Sequence, residues 1–264
     1  ETQADADAAA DRLAASYEAA APAFLQNEAY DPDAAVAEAL SRAAGPGKGP
    51  VVIADTQDNP GAGGVSATTG MLRALVKAGA QNAAIGLIVD PATAEAAHLA
   101  GVGADVNVAL GGHPSVTDDA PFQTTATVMH LSDGTLRATG PYYGGTALNL
   151  GPSACLRIGR VHVVVTSRIA QMADREMFRF VGIPPEEMGL LVVKSSTHFR
   201  AAFAPIARDI LVACAPGPMP LNPADLPFTR LRAGLRLSPD GPRFGADGAP
   251  SAPPGHGGKT AMAQ

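Results

Sequence analysis

The stretch "VVIADTQDNPGAGGVSATTGMLRALVKAGAQNAAIGLIVD", Val51–Asp90, changes its hydrophobic pattern three times. Val51–Ala54 is a short apolar run of the kind that forms a strand covered on both faces. It stops at Asp55, Asp58 and Asn59, turns through Gly61, Gly63 and Gly64, and becomes helix-like over Thr68–Ala78. A second apolar run follows at Ala83–Val89. Asp90 and Pro91 then have the residue types of an N-cap and a first helical position, opening a helix over Pro91–Leu99. Strand, helix, strand and helix at this spacing predict a parallel α/β unit with right-handed crossovers.

The pattern differs on either side. Residues 4–44 are Ala-rich with spaced apolar positions (Leu13, Tyr17, Ala21, Val36, Leu40) and predict two helices, interrupted near Tyr30-Asp31-Pro32. "GPGKGP" (45–50) is a helix breaker. Between Val106 and Thr166 lie six short β-like runs: 106–110, 123–130, 136–139, 147–150, 154–158 and 161–166. "SDG" (132–134) and "RIGR" (157–160) have the composition of hairpin turns, so this section is expected to be antiparallel. Alternation returns with a helix over Asp174–Val181, a strand over Leu190–Val193, a helix over Thr197–Ile206 and a strand over Ile210–Ala213. The expected fold class is therefore α/β: parallel strand-helix units, an inserted antiparallel β section and an N-terminal helical segment. The expected division is a helical segment (1–45), an α/β domain (46–235) and a Gly/Pro/Ala-rich disordered tail (236–264).

Composition narrows the function classes. The chain has 264 residues, of which 46% are hydrophobic and 17% charged, as in a soluble globular protein. With a net charge of -6 and no Lys/Arg cluster, it carries no basic footprint for nucleic acid. No apolar run approaches the ~18–20 residues that span a bilayer, and the acidic, Ala-rich start is not a signal peptide. Cys155 and Cys214 form no CxxC pair and suggest no disulfide framework, which fits a reducing, cytoplasmic setting. The chain does not begin with Met, so it is either processed or part of something longer.

Three polar segments follow apolar runs. In the first, Asp58, Asn59, Gly61, Gly63 and Gly64 sit between a strand and a helix. Glycine-freed amides there form an anion site or, alternatively, a turn that only lets strand and helix pack. It is not a Walker loop, since no Gly-Lys-Ser/Thr follows, and Ser66 occupies the third glycine position of a dinucleotide fingerprint. In the second, "VVKSSTHFRAAF" (192–203), Lys194, Ser195, Ser196, His198 and Arg200 offer donors for an oxyanion or carboxylate, or ordinary caps and solvated charges. His198 and Lys194 are the candidates for a catalytic role. In the third, "VVVTSRIAQMAD" (163–174), Thr166, Ser167, Arg168, Gln171 and Asp174 line the same edge or simply enter a helix. "GPYYGG" (140–145) suits a loop that touches a ligand or a plain turn. The six histidines are scattered, with no H-E-x-x-H, so adjacent residues assemble no metal site.

In combination, "VVIADTQDNPGAGGVSATTGMLRAL", "GVGADVNVALGG", "TGPYYGG", "LGPSACLRIGRVHVVVTSR" and "VVKSSTHFRAAFAPIARDILVACAPG" resemble the C-terminal domain of the microcystinase C-like (MlrC) metallopeptidases, in order from about Val51 to Arg232. The resemblance implies a zinc-dependent hydrolase acting on a small peptide or amide substrate. It also implies metal ligands in an upstream N-terminal domain, outside this chain. Asp58, Asn59 and the glycine loop would then face the cleft, with His198 and Arg200 supplied by a neighbouring strand end. The partner would be the missing N-terminal domain or a second copy of the chain. A non-catalytic anion- or nucleotide-binding module using the glycine loop is the alternative reading.

Overall fold

The computed structural model describes residues 2–24, 28–238, 241 and 244. They divide into two compact units: residues 29–219, and a second made of 1–28 with 220–264. The second unit contains helix α1 (Gln3–Phe24) and a short pairing in which the Gly234 and Phe244 amides donate to the carbonyls of Phe244 and Leu235. Of the tail expected to be disordered, residues 236–238, 241 and 244 are described, and the remainder lies outside the described residues. No helix among the described residues is long and apolar enough to cross a membrane.

The larger unit is built on an eight-stranded sheet of order β10-β1-β9-β2-β8-β7-β4-β3. Five parallel strands occupy one side: β10 (Asp209–Ala213), β1 (Val51–Asp55), β9 (Leu190–Val193), β2 (Ala83–Val89) and β8 (Val161–Thr166). Three antiparallel strands extend it: β7 (Ser153–Ile158), β4 (Phe122–Ser132) and β3 (Asp105–Leu110). The predicted α/β class, with its parallel units, antiparallel section and N-terminal helices, is the observed architecture.

Helices on both faces explain the continuous apolar strands. Val51, Ile53, Leu190 and Val192 face a core shared with α2 (Pro32–Ala44), α3 (Gly70–Lys77) and α4 (Pro91–Ala100). The alternate residues Val52, Ala54, Leu191 and Val193 face a second core with α5 (Glu176–Arg179) and α6 (Arg200–Phe203). A strand covered on both sides has no position for a solvated side chain until it ends. Polar residues therefore begin at the strand termini, and parallel pairing gathers those C-terminal termini on one edge.

Local signals fix the element ends. The Asp90 side chain accepts from the Thr93 amide at 2.9 Å and from the Thr93 hydroxyl at 2.8 Å, while Pro91 opens α4. Asp90 also accepts from the Gly111 amide at 2.9 Å, tying the loop after β3 to this helix start. Asp90→Ala should lower unfolding free energy by about 1–2 kcal/mol in urea titrations.

Three local expectations need correction. The "SDG" turn joins β4 to β5 (Thr135–Arg137), but these strands do not pair: β5 pairs with β6 (Ala147–Asn149) in a separate two-stranded sheet. Ser132 and Asp133 cap the amides of Gly134 and Thr135, so the turn carries the chain from one sheet to another. The helix expected over 174–181 is confined to Glu176–Arg179: buried Asp174 accepts from the Gly140 and Glu176 amides before it, and Gly182, at positive φ, donates to the Arg179 carbonyl and ends it. The helix expected over 197–206 is confined to Arg200–Phe203, and Pro205, which has no amide proton, follows closely.

Candidate functional site

Strand β9 enters the sheet between β1 and β2, and its register pairs Ala54 with Val193. The next residues, Asp55 and Lys194, therefore emerge side by side at the C-terminal edge. Lys194 is fully buried. Its Nζ donates to Asp55 Oδ2 at 2.7 Å, Asp58 Oδ2 at 2.9 Å and Thr68 Oγ1 at 3.0 Å. All three ammonium protons have acceptors, so Lys194 joins the glycine turn to the sheet.

Asp58 is equally enclosed. Its Oδ1 accepts from the Val65 amide at 2.8 Å and the Ser66 amide at 2.7 Å; its Oδ2 accepts from the Thr68 amide and hydroxyl, both at 2.9 Å. The glycine turn thus does hold an anion, and the anion is the protein's own carboxylate. The remaining turn amides are also committed: Gly61 to Asn59 Oδ1, Ala62 and Gly64 to the Asn59 carbonyl, and Gly63 to the Pro60 carbonyl. Gly64 is required for this wrap, because a Cβ there would lie 2.5 Å from the Asp58 carbonyl carbon.

The two carboxylates differ. Burial pushes the Asp55 carboxyl up, and Lys194 offsets only part of that; Asp58 and Asp119 add further negative potential. Burial pushes Asp58 up as well, but the Lys194 charge and the hydrogen bonds from Lys194 and Thr68 outweigh it, and the net direction is down. For Lys194, burial pulls the ammonium down, while the two carboxylates more than compensate and raise it. Asp55 Oδ1 and the neighbouring Thr56 Oγ1 are buried without hydrogen-bond partners.

Above this buried layer sits a second, more open one. Asn59 Nδ2 donates to Ser196 Oγ at 2.7 Å, joining the glycine turn to the segment after β9. Gln171, from the segment after β8, donates through Nε2 to Ser195 Oγ at 2.7 Å. His198 Nδ1 lies 3.2 Å from Gln171 Nε2 and 3.3 Å from Gln171 Oε1. The exposed His198 ring stacks on Tyr142, with centroids 4.3 Å apart and planes 26° from parallel. Tyr143 donates through its hydroxyl to the Gln171 carbonyl at 2.9 Å, and burial pushes that phenol up to about 12.

The structure therefore gathers Asp58, Asn59, Gly61, Gly63, Gly64, Lys194, Ser195, Ser196 and His198 at one edge. Arg168 and Arg200 stand apart from the network. Arg168 donates to Asn149 Oδ1 at 3.1 Å, and the Arg200 guanidinium lies over the Phe199 ring at 5.4 Å. Sequence reading named Gln171 and the tyrosine pair only as members of ambiguous segments. A single uncharged amide six residues beyond the last apolar strand residue, Val165, gave no stronger signal.

No three His, Cys, Asp or Glu side chains among the described residues are placed to hold a metal ion. Of the buried carboxylates nearest the edge, Asp58 is saturated by Lys194 and backbone amides, and Asp55 gives one oxygen to Lys194 and keeps one unpartnered. These residues alone do not fit a metal.

Residues 53–230 match the family described as MlrC C-terminus. Microcystinase C of Sphingomonas sp. is 26% identical over 162 residues, which is 61% of this chain and 31% of that protein. A crystal structure of a protein assigned as a metallopeptidase from Mesorhizobium sp. BNC1 aligns with a TM-score of 0.68 and 26% identity, over 78% of this chain and 40% of that one. The chain spans less than half the length of either relative.

Proposed function

The chain belongs to the MlrC C-terminal family, and from that premise we propose that it is the substrate-side domain of a zinc-dependent peptidase that hydrolyses amide bonds in small peptides. The observation that carries this reading is the edge itself. Segments following β1, β8 and β9 are locked together by Lys194, Asn59 and Gln171, and they present His198 outward, stacked on Tyr142 from the loop between β5 and β6. The metallopeptidase relatives imply a metal, and in this proposal its ligands lie outside the chain, in a domain that would close over this edge. When bound there, zinc would polarise the amide carbonyl and activate water. This chain's share is to bind and orient the peptide: Ser196 and His198 supply polar contacts, and Tyr142 with Gly61–Gly63 supplies the adjoining surface. A second copy of the chain covering the edge is the other partner arrangement, and gel filtration across concentrations separates the two.

Calorimetry on the 264-residue chain tests the reading. Short linear peptides should bind, and His198→Ala should weaken them by about tenfold, the loss of one hydrogen bond of ~1.4 kcal/mol. With zinc added, the chain alone should not hydrolyse them. Phosphate and nucleotides should give no heat, because the turn amides already serve Asp58 and Asn59. Saturable nucleotide binding with no response to any peptide would overturn the proposal in favour of a nucleotide module.

A further inference from the structure

We propose that Gln171 is a positioning residue that fixes His198 in the Nδ1–H tautomer, so that Nε2 meets the substrate as a hydrogen-bond acceptor. The group it receives is then a donor, a peptide N–H or a water, rather than a carboxylate.

The carboxamide of Gln171 is buried, with one acceptor oxygen and two donor protons to place. Its Nε2 already donates to Ser195 Oγ at 2.7 Å. Its Oε1 points at Gly61, where a Cβ would lie 2.3 Å away, so the surface there is carbon-bound hydrogen and offers no strong donor. The nearest group able to donate to Oε1 is His198 Nδ1, at 3.3 Å. With the proton on Nδ1, each end of the amide has a partner: Oε1 accepts from His198 and Nε2 donates to Ser195. With the proton on Nε2, Nδ1 takes the second amide proton from Gln171 Nε2 at 3.2 Å, but Oε1 is left with no donor at all, which costs more than one amide proton short of an acceptor on a nitrogen already bonded. Free histidine favours the Nε2–H form, so the protein would be reversing the ordinary preference.

The surroundings support a held ring. Tyr142 stacks on the imidazole and fixes its plane, and the Tyr143 hydroxyl anchors the Gln171 backbone. Among the described residues, Nε2 of His198 has no hydrogen-bond partner. Gly61 is then needed for a reason beyond turn geometry: any side chain there would displace the amide that sets the tautomer.

The tautomer is read by nitrogen-15 NMR of the full chain with labelled histidine, without substrate or metal, at a pH where the ring is neutral. In the wild type the Nδ1–H form should predominate by about tenfold. Gln171→Leu should return His198 to the Nε2–H preference. Gln171→Glu, which retains an acceptor oxygen and lets Ser195 donate in turn, should keep Nδ1–H. A merely structural Gln171 would leave the tautomer unchanged in all three. Nε2–H in the wild type, as a reversed amide would give, or an unchanged tautomer in Gln171→Leu, overturns the proposal.

The choice of substrate group rests on the peptide-site reading above. Adding trialanine should shift the Nε2 resonance toward that of a hydrogen-bonded acceptor while Nδ1 stays protonated; an unmoved Nε2 overturns that half. A correct tautomer with peptide binding indifferent to His198→Ala would leave the geometry standing and remove the functional reading, so the two failures are distinct.

Discussion

Lys194→Met should lower the stability of the chain by about 3–5 kcal/mol, read as a fall in urea midpoint by circular dichroism. Methionine fills much of the same volume, so the loss is electrostatic rather than a cavity. It leaves Asp55 and Asp58 facing each other in a fully buried layer with no cation, and frees the Thr68 hydroxyl from its lysine partner. Domain stability is typically 5–15 kcal/mol, so this one change would remove a large fraction of it. Adding Asp55→Asn to Lys194→Met should restore part of the loss, because one uncompensated charge disappears. Such non-additivity marks an ion network rather than three separate contacts. A midpoint within about 0.5 kcal/mol of wild type would mean that the lysine carries little of the load assigned to it.

This layer also shows what the sequence made legible. The apolar runs at 83–89 and 190–193 coincide with β2 and β9 because a strand buried on both faces is built almost wholly of apolar residues, and β8 follows the same pattern apart from His162 and the terminal Thr166. Strand ends were thereby visible, and the three polar segments follow them at the C-terminal edge of the sheet. Partner choice was not visible. Nothing local says that β9, more than 100 residues after β2, inserts between β1 and β2, and this insertion converts Lys194 from a donor beside a strand into the counter-ion of Asp55. The filling of the "DNPGAGG" turn by Asp58 is local, through the Val65, Ser66 and Thr68 amides, and the insertion adds Lys194 to it. The link from Gln171 to His198 was hidden for a related reason. Two residues 27 apart, one an uncharged amide, meet only because the segments after β8 and β9 leave the same sheet edge. Where the reading failed locally the causes differ: at "SDG" local caps pass the chain to a second sheet, whereas at α5 a tertiary partner intervenes. Asp174 had the composition of a helix start but caps the Gly140 amide as well.

Asp58→Asn should cost about 2–4 kcal/mol and Asp55→Asn less than about 1 kcal/mol, although both residues are buried aspartates bound to the same lysine. Asp58 accepts from three backbone amides, a hydroxyl and an ammonium, which saturates both oxygens with donors. An amide at that position would turn an NH2 group toward either the Val65 and Ser66 amides or Lys194 and Thr68, and donor would face donor. Asp55 has one oxygen on Lys194 and one unpartnered, so an asparagine can keep the lysine contact through its oxygen. The pH dependence should have opposite signs. Asp58, lowered in the fold, contributes stability that is present above the ordinary carboxylate range and lost as pH falls through its folded value. Asp55, raised in the fold, contributes stability that is present below its unfolded value and lost as pH rises through its folded one. Asp58→Asn should therefore flatten the acid limb of the stability curve, whereas Asp55→Asn should lift stability toward neutral pH relative to acid. Urea titrations across the acid range check both slopes. Equal losses from the two substitutions would show that the backbone amides around Asp58, and not the lysine alone, had been credited with too much.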